Sequence, residues 1–423
     1  KLEDYFDNEN AVRILTAPES DPRTSDQPEQ IAEIEIIESP AAPVTKTSIE
    51  DLPTTDGVRF TIGQSTHSDE NVDFWPSNTE LTHLNIGVLG TLGTGKTQFV
   101  KNLVANLRGK SSQSQKDPIS FLILDYKDDY SKPDFLKQVG GISQKPERIP
   151  INVFELAEGY SSIAASKKAS SFVDTLSKIY GGIGPKQSSA LKRTITELFR
   201  DNDGSPPRLH EVVAKYVAAN GYDSVSGVLE DFVSFEIFDD SSERTVKFSE
   251  FLGSGLISLS LDTLGTNTKM KVAVATLILD MYLQNMMKAS KPAFMGDSPQ
   301  LRTIQSYLLI DEATNIMKHD FSSLQALLRE GREFGYGVIL SSQFLGDFKT
   351  SNFNYAETLE TWMIHRVPDI KPAQLQALGM GSTLSNSAQE ITALAKHQGL
   401  WSSFGYRGFI TGTPFYKAFG ESS

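Results

Sequence analysis

The 423-residue chain is 39 % apolar and 22 % charged, an ordinary balance for one large globular domain or two to three smaller ones. It has no cysteine, which excludes disulfides and thiolate metal centres, and its six histidines form no H-x-x-x-H pair. No apolar run approaches the roughly 18–20 residues of a membrane span, so no membrane role is expected and the chain reads as cytoplasmic.

The net charge of −13 argues against nucleic acid only until it is apportioned. Residues 1–56 hold 14 Asp/Glu against 4 Lys/Arg, and the remainder is close to neutral, which leaves room for a local basic surface. "APESDPRTSDQPEQ" and "ESPAAPVTKTSIEDLPTTDG" are rich in Pro, Ser, Thr and acid, so 1–56 is expected to be an acidic, largely disordered linker. "IAEIEIIE" (31–38) is the exception, since its alternation suits one edge strand.

"GVRFTIG" (57–63) turns strand-like and opens the folded region. "LNIGVLG" (84–90) is a short buried strand. "KTQFVKNLVANLRG" (96–109) places Phe99, Leu103, Val104 and Leu107 at helical spacing, ending at Gly109. "ISFLILDYKDDY" (119–130) is a second apolar strand ending in acids. Strand, helix, strand, with both strands apolar on both faces, predicts a parallel α/β sheet. Residues 160–235 lack such strands; "SSFVDTLSKIY", "QSSALKRTITELFRD", "LHEVVAKYVAAN" and "VSGVLEDFVSF" predict a helical insertion. Strands return at "GLISLSLD" (255–262), followed by a long helix over 268–288, then "SYLLIDEA" (306–313), a helix ending at Gly335, and "GVILSSQ" (337–343). "ETWMIHRV" (360–367), "GLWSSFG" and "RGFITGTPFY" read as the last strands.

Between the strand at 84–90 and the helix that follows, Gly90, Thr91, Leu92, Gly93, Thr94, Gly95, Lys96 and Thr97 match G-x-x-x-x-G-K-[ST], with Gln98 next. Glycines let backbone N–H groups converge on phosphate oxygens, and the helix dipole favours the same anion. Lys96 then reaches the β- and γ-phosphates of ATP, and the Thr97 hydroxyl ligates Mg²⁺. A merely flexible turn is the alternative; the strand before and the helix after weigh against it.

In "YLLIDEA", four apolar residues carry Asp311 to a strand end, where it can hold Mg²⁺ through water. Glu312 follows and is placed to deprotonate a water aimed at the γ-phosphate, which favours a hydrolase over a kinase. An Asp-Glu helix cap is the competing explanation. In "LLREGREFGYGVILSSQ", Gln343 ends a strand, beside the γ-phosphate if that strand neighbours the one carrying Asp311. Arg329 and Arg332 lie on the preceding helix, where an arginine could reach a neighbouring subunit's phosphate; a solvated face pairing Arg329, Glu330, Arg332 and Glu333 is the alternative. Asp125 and Lys127 in "LDYKDD", and Arg366 after His365, end strands and are weaker candidates. Met270, Met281, Met286 and Met287 read as core, and Lys192 and Arg193 as a solvated helix face.

In this order, the motifs resemble the HerA/FtsK superfamily of ring-shaped DNA-pumping ATPases, which includes conjugative coupling proteins and secretion ATPases. The resemblance spans roughly 57–420: "FTIGQ" and "LTHLNIGVLGTLGTGKTQ" look like its β-entry and P-loop, "LILDYKDDY" like its second strand, and "LLIDEA" like its hydrolysis strand. "GREFGYGVILSSQ" is the most diagnostic piece, through the Arg332-to-Gln343 spacing. The one departure is Gly93-Thr94-Gly95 where the family commonly has Gly-Ser-Gly, a mild change.

The resemblance implies a RecA-like P-loop core over 57–130 and 245–423 with a mostly parallel sheet, a mainly helical insertion over 131–244, Arg332 acting in trans, and Gln343 sensing the γ-phosphate. It also implies ATP and Mg²⁺ as cofactors, a hexameric homo-oligomeric ring, and double-stranded DNA as a sequence-independent partner. The entry "PSNTELTHLNIGVLGTLGTGKTQ" is similar to the HerA-like component of phosphorothioation-dependent restriction systems, which implies a defence setting, nuclease partner proteins and a C-terminal fragment of a longer protein. A nucleotide-driven switch gating a nuclease, and a secretion-type protein motor, remain as alternatives.

Overall fold

Eleven strands form one sheet among the residues that the computed structural model describes, namely 56–239, 241, 243–253, 255–378 and 387–420. The edge strand expected at 31–38 lies outside them. In chain order the strands are β1 (Phe60–Ser65), β2 (Asn71–Phe74), β3 (Ile86–Leu89), β4 (Ser120–Asp125), β5 (Gly141–Gln144), β6 (Leu256–Ser260), β7 (Ser306–Ile310), β8 (Tyr336–Ser342), β9 (Thr361–Ile364), β10 (Gln398–Ser403) and β11 (Tyr406–Thr411).

Their order across the sheet is β2-β1-β11-β10-β9-β3-β8-β7-β4-β6-β5. The stretch from β9 to β5 is parallel, and β10, β11, β1 and β2 extend it antiparallel. The parallel strands are buried on both faces because alternate residues feed separate cores. Phe121 and Ile123 join one core with Ile86, Val88 and Leu309; Leu122 and Leu124 join the other with Leu308 and Ile310. The first core is roofed by α1 (Lys96–Ser114), whose Phe99, Val100, Leu103, Val104 and Leu107 face it.

Helix α1 runs five residues past the expected stop at Gly109. Its polar tail is held locally: the hydroxyls of Ser111, Ser112 and Ser114 donate to carbonyls three or four residues back, and Ser111 Oγ accepts from Ile119 N–H at 2.9 Å. The strand expected over 119–130 stops at Asp125, and a short helix, α2 (Pro133–Val139), follows it.

The second face of the sheet is covered by helices. Four of them, α3 (Ser162–Tyr180), α4 (Pro185–Asp201), α5 (Leu209–Asn220) and α6 (Ser224–Ser234), form the block read from sequence as helical. Between β4 and that block the chain also contributes the parallel edge strand β5, which the sequence reading did not contain. After the block come α7 (Phe248–Leu252), then α8 (Thr268–Lys288), which is apolar on most sides because it packs against α3 and α10 (Ser322–Glu330) as well as the core. The single turn α9 (Thr314–Met317) precedes α10. No helix among the described residues is long and apolar enough to cross a membrane.

The topology decides where chemistry gathers. In register, Leu89 of β3 pairs with Ser342 of β8, and Ile310 of β7 pairs with Leu340 of β8. The C-terminal ends of β3, β8, β7 and β4 therefore emerge at one edge, delivering Gly90, Gln343, Asp311 and Asp125 to it. Ligands in such sheets bind outside this carboxyl edge.

Candidate active site

The loop from Gly90 to Thr97 leaves β3 and enters α1 as a wound turn. Gly93 (φ 78°) and Gly95 (φ 109°) take left-handed backbone that a side chain would strain, and a Cβ at Gly95 would lie 2.6 Å from His397 Nδ1. The loop is pinned from outside: Thr91 donates to the Arg366 carbonyl through both N–H and hydroxyl, each at 3.2 Å, and Thr94 accepts from His397 N–H at 3.0 Å through its carbonyl. Within the loop, Thr94 Oγ1 donates to the Thr91 carbonyl at 2.8 Å, and Lys96 Nζ donates to the Gly90 carbonyl. Burial lowers the Lys96 pKa, while the charges of Glu312 and Asp311 raise it, which places both acids near that ammonium.

Asp311 is 5 % exposed, and its carboxyl is pushed up to about 6 by burial and by the Glu312 charge, with the Ser341 hydroxyl bond opposing. Glu312 behaves oppositely. Burial pushes its carboxyl up, but bonds from Lys127 and Gln343 and the charges of Lys127 and Lys96 outweigh it and hold the group below its ordinary value. Gln343 Nε2 donates to both Glu312 oxygens, at 2.9 and 3.2 Å, and Lys127 Nζ forms an ion pair with Oε1. Glu312 itself sits at φ 50°, a left-handed conformation uncommon for a non-glycine residue and frequent at functional sites. Behind Gln343, Asp347 accepts from the Thr314 hydroxyl at 2.8 Å and from the Ser342 hydroxyl, fixing the start of the following loop against α9.

These residues fit a hydrated Mg²⁺ shared with phosphates. Asp311 is a buried carboxylate with no direct ion pair among the described residues, at the sheet edge from which the loop carrying Thr97 also leaves, and no cluster of three His, Asp or Glu among those residues offers an all-protein cage.

The weaker candidates are placed differently. Asp125 is fully buried, and its carboxylate accepts from the N–H groups of Lys127, Asp129 and Tyr130 at 3.2, 3.1 and 2.8 Å. It shapes the loop after β4 and thereby aims Lys127. The Arg366 side chain is exposed, and the residue meets the Gly90–Thr97 loop through its carbonyl. Arg329 lies with its guanidinium 4.8 Å from the centre of the Phe353 ring.

Arg332 stands at the opposite end of the sheet, before β8 rather than after it. Seven residues of strand separate it from Gln343, roughly 20 Å or more. It is exposed, and its side chain makes no hydrogen bond or ion pair among the described residues; Glu333 beside it pairs with Lys291. The local pairing of Arg329, Glu330, Arg332 and Glu333 considered from sequence is not what the chain forms.

Two features went unread in the sequence. The sequence marks Lys127 only by its place at a strand end and carries no sign that it partners Glu312. His397, whose ring covers Gly95, carries no motif; its signal is purely three-dimensional.

No family model and no curated protein sequence matches the chain. Solved structures do. VirB4 of Thermoanaerobacter pseudethanolicus is similar at a TM-score of 0.65 and 15 % identity, over 85 % of this chain and 97 % of that one. The unbound bacterial conjugative coupling protein TrwB, without its first 70 residues, is similar at 0.54 and 15 %, over 86 % and 91 %. TrwB in complex with a non-hydrolysable ATP analogue is similar at 0.52 and 14 %, over 80 % and 87 %. At such identities the likeness is one of fold: the chain has the mixed α/β, mostly parallel architecture of these P-loop nucleotide triphosphatases.

Proposed function

We propose that the chain hydrolyses ATP at the edge formed by β3, β7 and β8 and uses the energy to move along or remodel DNA, as a ring motor of the HerA/FtsK type. The observation that carries hydrolysis is the placement of Glu312. It follows Asp311 on a strand one removed from the phosphate loop, with Gln343 reaching it from the intervening strand. Loop N–H groups and Lys96 bind the β- and γ-phosphates; Thr97 and Asp311 are the residues that would hold Mg²⁺, which would withdraw charge from those phosphates. Glu312 takes a proton from water as its oxygen bonds to the γ-phosphorus, and the β–γ bridging oxygen leaves with ADP.

A ring supplies the remaining piece. Arg332 is too far from its own chain's phosphate loop and is free to face a neighbour's, where a guanidinium stabilises the charge of the transferring phosphoryl group. TrwB structures with ATP and GTP analogues and with ADP and Mg²⁺ support a nucleotide-driven reading of this fold. The resemblance of residues 76–98 to the HerA-like component, DptH, of phosphorothioation-dependent restriction supports a hexameric ring working with nuclease partners in DNA restriction.

The Lys127–Glu312 ion pair favours one other reading, a switch that gates a partner nuclease without moving along DNA, since a base held by an ammonium suits a rarely turning site. ATP turnover against linear duplexes of increasing length, at low and physiological salt, separates the two. A motor turns over faster on longer duplexes until dissociation from ends ceases to matter, and its binding weakens steeply with salt as phosphate contacts release counterions. A flat response with DNA bound sinks translocation.

A further inference from the structure

We infer that the phosphate loop continues into a nucleobase shelf formed by Tyr416 and His397, on the side of β3 away from Glu312; this rests on the ATP-site reading above.

The direction follows from the sheet. β3 has β8 on one side and β9 on the other, with β10 beyond. The β8 side carries Gln343, Glu312 and Asp311, so it receives the γ-phosphate. A nucleotide with its γ-phosphate there runs its α-phosphate past the first turn of α1, and its sugar and base leave over the β9–β10 side.

Two ring-bearing residues wait on that side, both tied through their backbones to the loop and helix. The Tyr416 N–H donates to Gln98 Oε1 at 3.2 Å, and the Thr413 carbonyl accepts from Asn102 Nδ2 at 2.9 Å, docking the C-terminal segment on the first two turns of α1. The His397 N–H donates to Thr94 and its carbonyl accepts from Gly412 N–H, each at 3.0 Å. His397 has φ 70°, a conformation a non-glycine residue adopts uncommonly, and this turns its ring over Gly95. The two rings lie 6.2 Å apart, inclined at 62°. Tyr416 remains 51 % exposed although its backbone is fixed. A positioned aromatic face, half in water and next to a phosphate cradle, is what a base needs for stacking.

Stacking reads the face of a base and not its hydrogen-bonding edge, so the shelf accepts adenine and guanine nucleotides alike. Binding by calorimetry with non-hydrolysable ATP and GTP analogues and with inorganic tripolyphosphate, each with Mg²⁺, tests this. In Tyr416→Ala, and in His397→Gly, which keeps the left-handed backbone, affinity for both analogues should fall about five- to hundredfold while tripolyphosphate affinity stays within about twofold of wild type. Tyr416→Phe should bind like wild type. Unchanged analogue affinity in both variants overturns the shelf and leaves the phosphate loop standing, and an equal loss for tripolyphosphate overturns it too, since the rings would then act only on the loop's shape. If wild type binds none of the three, the ATP-site reading falls first and takes the shelf with it.

Discussion

Lys127 and Glu312, 185 residues apart in sequence, form an ion pair across the ends of β4 and β7. The contact is aimed, because Asp125 gathers the N–H groups of the loop that presents Lys127, and Asp128 in the same loop accepts from the Ser260 hydroxyl of β6 at 2.7 Å. It has a chemical consequence. A base already paired with an ammonium is a weaker base, and one of its oxygens is occupied.

Replacing Lys127 by Met therefore has a signed outcome. In the proposed hydrolysis Glu312 can act as a base only when deprotonated, and Lys127 helps to hold its carboxyl below the ordinary range. Without Lys127 the pKa rises, so the acid limb of the ATP-turnover profile should move to higher pH, while turnover on the alkaline plateau should equal or exceed wild type. A profile scaled down at every pH, with its acid limb unmoved, would mean that Lys127 contributes to binding or folding only.

Asp311 makes an opposite prediction for stability. Its folded-state carboxyl, at about 6, lies above the ordinary 3.8. The folded protein then holds the proton more tightly than the unfolded chain, so stability falls as pH rises through that window and stays lower above it. The penalty is on the order of 1–3 kcal/mol at neutral pH. Without nucleotide or Mg²⁺, Asp311→Asn should melt a few degrees above wild type at about pH 8, a gain that vanishes below about pH 4, and should lose turnover. A lower melting temperature at the higher pH would show the carboxylate to be compensated within the chain.

Arg332 is tested by mixing. Arg332→Ala and Glu312→Gln should each be inactive alone, with the arginine contributing about 10³–10⁵ in rate. In a mixed ring some interfaces join an intact Glu312 to a neighbour's intact Arg332, and part of the activity should return. Mixed oligomers without recovery at any ratio would place Arg332 outside the neighbour's site.

Much of this edge was legible in the sequence because its parts are local. Glycines, Lys96 and Thr97 follow one another directly, and Asp311 and Glu312 close an apolar run, so strand, loop and residue type coincide. The parallel sheet was legible for the same reason: β3, β4, β7 and β8 are continuous apolar runs buried on both faces. β5 was not, since an edge strand of four residues, "GISQ", half exposed, has neither an apolar run nor alternation. The extension of α1 to Ser114 was hidden because a serine-rich tail reads as loop, although its hydroxyls bond back to the helix. The ion pair of Lys127 and the place of His397 over Gly95 could not be read at all, because both depend on strand order. The seven residues of β8 put Arg332 and Gln343, eleven positions apart in sequence, at opposite ends of that strand.

Whether this edge hydrolyses ATP with Glu312 as the base is read most directly from equilibrium binding of Mg²⁺-ATP and steady-state turnover for wild type and Glu312→Gln, with Lys96→Ala as the binding control. Wild type should turn over. Glu312→Gln should bind ATP comparably and lose turnover by about 10²–10⁴, and Lys96→Ala should lose binding. Glu312→Gln hydrolysing ATP at the wild-type rate would show that Glu312 is not the base.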